Sequence, residues 1–216
     1  SQAHTVAAML ALYFGKRSRC LWIRMTPWGS VLPGQVSLAD GIFMMKGLDE
    51  TEGENPMVRS WGKVFVMPGF SHYEDYLDCE EEEFEAFLKE VKEAGGYEVV
   101  ILEFSCVKDG FLQLLNLGQR IFVAEEEGKW GKERGEAFEK MIKSDERFSL
   151  SKIHKILWTP AWVAAAGRLQ LEEPEQVDTE LAERLFSESG VTDGSKRNQG
   201  ADPETGNGTD STGRVF

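Results

Sequence analysis

The sequence predicts an α/β domain, a doubly wound and mostly parallel sheet with helices on both faces. Three observations carry this reading. Short apolar runs alternate along the chain with segments of helical periodicity, and strands and helices alternating at this spacing call for right-handed crossovers between parallel strands. Val99-Val100-Ile101-Leu102 is a continuous apolar run, the pattern of a strand covered on both faces. The length of 216 residues, with 41% hydrophobic and 28% charged content, is that of a globular domain. Such a chain buries roughly 70% of its unfolded surface and needs neither disulfides nor metals to hold a core.

In chain order, residues 6–14 are apolar nearly all round and close at Gly15, as in a helix packed against a sheet. Residues 19–25 read as a strand. Ser37, with Asp40 three residues on, has the pattern of a capping box opening a helix through Met45. Residues 63–66 read as a strand stopped by Pro68. From Glu80, the positions Phe84, Phe87, Leu88 and Val91 recur at helical spacing until Gly95-Gly96 ends the helix. Residues 97–104 carry the apolar run as a strand. Asp109 starts a short helix with Phe111, Leu112, Leu114 and Leu115 buried, ended by Gly118, and residues 120–124 form another strand. Trp130, Arg134, Ala137, Phe138, Met141 and Ile142 mark a helix with a mixed face. Ile153–Trp158 is a last strand before Pro160, and residues 177–186 form a final amphipathic helix. Trp28 and Trp162, flanked by Pro27 and Pro160, are expected in loops, either as exposed interface aromatics or as half-buried lids on the core.

The folded domain is expected over residues 1–186. Residues 187–216 hold four apolar side chains (Val191, Ala201, Val215, Phe216) and six glycines. Burial there cannot offset the entropy of ordering, so a disordered tail is expected. No internal repeat is visible. Acidic residues number 37 against 24 basic, a net charge of −13, which argues against nucleic acid as a partner. Three cysteines (Cys20, Cys79, Cys106) at wide spacing, with no CxxC pair, point away from a disulfide framework or zinc site and towards a cytoplasmic setting. No apolar stretch approaches the roughly 20 residues of a membrane span, and the basic residues at 16–19 follow the first apolar run where a signal peptide would place them before it. The chain begins with Ser and not Met, which leaves processing or a missing upstream segment open.

Ligands of a doubly wound sheet sit at the carboxyl ends of its strands. Four such ends follow Ile23, Val66, Leu102 and Val123. Around them the sequence resembles a family. Thr5-Val-Ala-Ala-Met-Leu-Ala-Leu, then Gly15-Lys16-Arg17 and a strand ending Thr26-Pro27-Trp28-Gly29, resemble the opening of the ParA/MinD group of P-loop ATPases. Val36-Ser-Leu-Ala-Asp-Gly-Ile-Phe, Tyr97-Glu-Val-Val-Ile-Leu-Glu, Asp109-Gly-Phe-Leu-Gln-Leu-Leu and Arg120-Ile-Phe-Val resemble its TadZ/CpaE-like pilus-assembly branch. The resemblance spans about residues 3–186 and rests on the order and spacing of these pieces.

What the resemblance implies for the site is a vestigial nucleotide face made of His4, Thr5, Arg24, Thr26 and Glu103. In the family's register the phosphate-loop lysine falls on Ala3 and the Mg²⁺-binding hydroxyl on His4, while Thr5 keeps the family's residue. The loop glycines would lie at or before Gln2, so the first strand and phosphate loop are missing or degenerate. The acid that positions the attacking water falls on Arg24, its neighbouring acid on Thr26, and the Walker B Asp on Glu103. A longer carboxylate serves Mg²⁺ acceptably, but a guanidinium cannot act as a base. Without a clamped Mg²⁺, little stabilises a transferring phosphoryl group. The expectation is ATP or ADP binding without catalysis, no role for Mg²⁺, and no catalytic residue.

Simpler roles stand beside these. Glu103 reads first as the partner of Arg24 across neighbouring strands, and His4 as a helix-start donor to solvent or backbone. His72 and His154 read as structural. Cys106 is accessible but has no base nearby in sequence, so an ordinary small residue is the better reading. The acidic residues between 78 and 85 suit the positive end of a helix, and no role is assigned to Glu125, Glu126 or Glu127. The resemblance implies a positioning or scaffold protein for a pilus or secretion apparatus, acting through protein contacts and as a homodimer. The alternative is an active ATPase whose phosphate loop lies upstream of this chain. The acidic final helix argues against DNA binding and against a membrane-anchoring helix.

Overall fold

Strict alternation along one strand organises the molecule. In β1 (Cys20–Met25), Leu21, Ile23 and Met25 point into one core while Cys20 and Trp22 point into another, the two-residue period of an extended chain with both faces covered. The computed structural model describes residues 2–27, 36–45, 57–106, 114–146, 148–171 and 179–188. In order, its elements are α1 (Gln2–Gly15), β1, α2 (Leu38–Met45), β2 (Arg59–Trp61), β3 (Val64–Met67), α3 (Tyr73–Asp78), α4 (Glu81–Gly95), β4 (Val99–Phe104), α5 (Leu114–Leu117), β5 (Ile121–Glu126), α6 (Lys129–Lys143), β6 (Ile153–Trp158), α7 (Pro160–Leu171) and α8 (Thr179–Glu188).

Four strands form one sheet in the order β2-β3-β1-β4, and β5 pairs with β6 in a second. β1 runs parallel to both β3 and β4, and β5 parallel to β6. Among the described residues the one antiparallel pair is the edge hairpin β2–β3, which turns at Gly62 with φ 58°, a backbone conformation that suits glycine. The α/β class and the parallel sheet agree with the sequence expectation.

Helices cover both faces. Leu21, Ile23, Met25, Val100 and Met67 pack with Phe84, Phe87, Leu88 and Val91 of α4 and with Leu38 and Ile42 of α2. On the other face α1 presents two surfaces, which is why its sequence is apolar all round. Ala7, Ala8 and Ala11 lie against Cys20, Trp22, Val64 and Val99, while Val6, Met9, Leu10 and Leu12 pack with α7 and α8. Small alanines on the sheet side let the helix backbone approach closely.

The local signals act as the sequence suggests. Ser37 Oγ accepts from the Asp40 backbone N–H at 3.1 Å and donates to Asp40 Oδ2 at 2.7 Å. Glu81, Glu82 and Glu83 occupy the first turn of α4, and Gly96 caps it in the left-handed region at φ 59°. Three expectations change. Trp162 belongs to α7, where it is 2% exposed and stacked on Trp158, because Pro160 starts a helix there and pre-sets its first turn. The inward face of α6 is Gly131, Gly135 and Ile142, with Trp130 72% exposed; a side chain at Gly131 would strike the Glu126 backbone carbonyl. β2, α3 and α7 were not foreseen, being short or unpatterned. The start of the helix expected from Asp109, Trp28, and the tail beyond Glu188 lie outside the described residues, the first two tail positions ending α8.

Candidate functional site

Alternation in β1 and β4 sets the site. Arg24 stands opposite Glu103 in parallel register, and both lie on the α1 face because each is two or four residues from inward-facing positions of that face, Trp22 and Val99. Arg24 Nε lies 3.7 Å from Glu103 Oε2. The same oxygen accepts a hydrogen bond from Trp22 Nε1 at 3.1 Å and lies 3.2 Å from His4 Nδ1 at the start of α1. His4 also rests on the Trp22 ring, with centroids 5.1 Å apart. The Glu103 side chain is 1% exposed, Arg24 21% and His4 38%.

A carboxylate this deeply buried is costly unless paired and hydrogen-bonded, and here a guanidinium, an indole N–H and an imidazole surround one of its oxygens. The cluster is therefore an internal ion pair closed on its solvent side by His4. His4 was expected to donate to solvent or backbone; the structure instead brings it onto Glu103, because the first turn of α1 crosses the end of β4. Trp22 was missed altogether. Its signal was its place two residues before Arg24, on the same face of the strand.

Thr5 and Thr26 are both buried, 4% and 5% exposed. Thr5 is on α1 one residue past His4. Thr26 follows β1, and its Oγ1 has no hydrogen-bond partner among the described residues. Gly69, after β3, passes so close that an added Cβ would lie 2.8 Å from Thr26 Oγ1 and 2.9 Å from the Arg24 carbonyl. Ala3 is half-buried on the first turn of α1. On the neighbouring sheet, Gln2 Nε2 donates to Glu126 Oε1 at 2.9 Å, and Arg134 pairs with the other Glu126 oxygen. The start of α1 thus lies across the carboxyl ends of β4 and β5 together.

The remaining candidates stay apart from this cluster. His154 stacks on Phe122. His72 precedes α3 without a side-chain capping bond. Cys106 is exposed, its carbonyl accepting from Tyr76 Oη at 3.0 Å and its sulfur 3.9 Å from the same oxygen. Glu125 pairs with Lys155 at 3.0 Å. Among the described residues, no group of three His, Cys, Asp or Glu side chains converges as metal ligands would, and no helix is long and apolar enough to cross a membrane.

No protein-family model matches the sequence, and no curated protein does. Solved structures do match. A ParA family ATPase from Chlorobium tepidum superposes with a TM-score of 0.58 at 16% identity, over 85% of this chain and 75% of that one. The fold is that of the ParA/MinD ATPases. The Pyrococcus furiosus cell division ATPase MinD follows at TM-score 0.51 and 14% identity, over 86% of this chain and 93% of its own. A Mycobacterium smegmatis cobyrinic acid a,c-diamide synthase, solved with an ATP analogue and magnesium, has TM-score 0.53 and 15% identity over 88% and 91%. On this sheet Arg24 and Glu103 stand near the carboxyl ends of β1 and β4, with His4 of α1 against them; doubly wound folds take their ligands at such strand ends.

Proposed function

We propose that this chain is a positioning or scaffold module on a ParA/MinD-type fold, its hydrolytic machinery lost and its surfaces retained for protein contacts. The observation that carries the reading is the ion pair of Arg24 with Glu103. A carboxylate 1% exposed, with Oε2 engaged by Trp22, His4 and Arg24, fits an internal counter-ion. It does not fit an open ligand for Mg²⁺, which keeps several waters and asks for accessible oxygens. Arg24 cannot take a proton from water, and Ala3 has no ammonium for a phosphate. We assign the site ATP or ADP recognition without turnover, through His4, Thr5, Arg24 and Thr26. The resemblance to TadZ/CpaE-like proteins supports a partner in a pilus or secretion apparatus and self-association on the same face.

The rival is an active ATPase whose first strand and phosphate loop precede Ser1. It draws support from the start of α1 lying across two strand ends, where backbone amides favour anions. Titration calorimetry with ATP, with and without Mg²⁺, and a phosphate-release assay separate the two. The scaffold reading expects no turnover and no Mg²⁺ dependence of binding. Turnover that disappears in a folded Glu103→Gln variant ends it. Sedimentation with and without ATP tests self-association.

A further inference from the structure

One flank of α6 carries apolar side chains that its own sheet leaves uncovered. Gly131, Gly135 and Ile142 face inward, whereas Trp130, Arg134, Ala137 and Met141 are all exposed. Successive gaps of four, three and four residues put these four in a single row along the helix. Trp130 is 72% exposed and Met141 42%, so the row presents a large side chain at each end and a small one, Ala137, within it. Glu133 and Lys140 border the row on its outer side. Glu133 lies 3.8 Å from Lys129, Lys132 pairs with Glu136, and Lys143 with Glu139. Lys140 makes no ion pair among the described residues.

We propose that this row is a contact between two copies of the chain, their α6 helices lying antiparallel. The row names its own occupant, because it complements its own reverse. Turned end for end, Trp130 of one copy lies against Met141 of the other, an aromatic ring against a polarisable thioether. Arg134 crosses Ala137, whose small side chain leaves room for the arginine stem while the guanidinium stays on Glu126. Along the border Glu133 of one copy meets Lys140 of the other, twice by symmetry, and Lys140 gains a carboxylate. Two helices touching over about three turns bury less than the roughly 1,200 Å² of a standard interface. Association is therefore weak, with a Kd of about 100 μM. The contact uses no residue of the Arg24–Glu103 site and needs no nucleotide.

Sedimentation velocity on the full chain without nucleotide, from about 10 μM to about 1 mM, reads the association. The native chain is expected to shift towards a two-copy species across that range. Glu133→Lys and Lys140→Glu each set like charges opposite one another, and each is expected to weaken association about ten-fold or more. Mixed in equal amounts, the two variants again oppose acid to base at both borders and are expected to regain it. The double exchange in one chain is expected to do the same. A native chain that stays single overturns the proposal, and if it instead floats with vesicles of anionic lipid, the face belongs to a membrane surface. Single variants that associate as the native chain does, or a mixture that fails to recover, also overturn it. So does association that requires ATP, which belongs to the nucleotide face, and the two accounts of self-association thereby fail separately.

Discussion

Arg24 and Glu103 face each other in register on β1 and β4, with Arg24 Nε 3.7 Å from Glu103 Oε2. The Glu103 side chain is 1% exposed, and the same oxygen meets His4 Nδ1 at 3.2 Å and accepts from Trp22 Nε1 at 3.1 Å.

Removing the acid leaves a cation and an indole N–H facing a buried hole. Glu103→Ala is expected to lower stability by about 3 kcal/mol, the usual consequence of breaking a buried pair from one side. Glu103→Gln, which keeps an acceptor for Trp22 Nε1, loses less. Urea midpoints of the two variants check the order, and equal losses contradict the role given to the indole bond.

Gly131 and Gly167 separate close packing from helix propensity. A methyl at Gly131 meets the Glu126 backbone, whereas at Gly167 nothing lies within 4 Å. Gly131→Ala is expected to cost about 1–3 kcal/mol, and Gly167→Ala to add about 0.5–1 kcal/mol. Thermal unfolding measures both.

Trp162 and Trp130 carry the same side chain in opposite settings, 2% and 72% exposed. Trp162→Ala opens a cavity beside Phe186 and Trp158, at an expected cost of about 3–5 kcal/mol. Trp130→Ala stays within about 0.5 kcal/mol. Denaturant titration of the pair distinguishes the core reading of Trp162 from an interface reading.

Burial, and then the Arg120 charge, hold the His154 imidazole below its ordinary value of 6.5. The unfolded chain then binds more protons than the folded one between the folded value and 6.5. Stability contributed by neutral His154 is present above 6.5 and is lost as pH falls through that window. From about pH 7.5 to about pH 5.5, Tm is expected to fall further for the native chain than for His154→Gln. Parallel losses would remove His154 from the account.

Burial pushes the Cys20 thiol up to about 12, whereas Cys106 is exposed. Iodoacetamide at mildly alkaline pH is expected to label Cys106 in the folded protein and Cys20 only after unfolding, because the thiolate is the nucleophile. Peptide mass mapping reads the result.

The class of fold, the order of the main elements and the opposition of Arg24 to Glu103 were legible in the chain alone. Apolar runs, caps and glycine stops are local signals, and two strands ending in Arg24 and Glu103 lead to the same edge once the sheet is parallel. Other features depend on what lies across the structure. His4 reaches Glu103 only because α1 crosses the strand ends. Gly131 faces β5 because α6 lies against the Glu126 backbone, and Trp162 is buried because α7 and α8 close over it. Periodicity states which face of an element seeks cover, whereas the partner that supplies the cover is set by the packing of segments far apart in sequence.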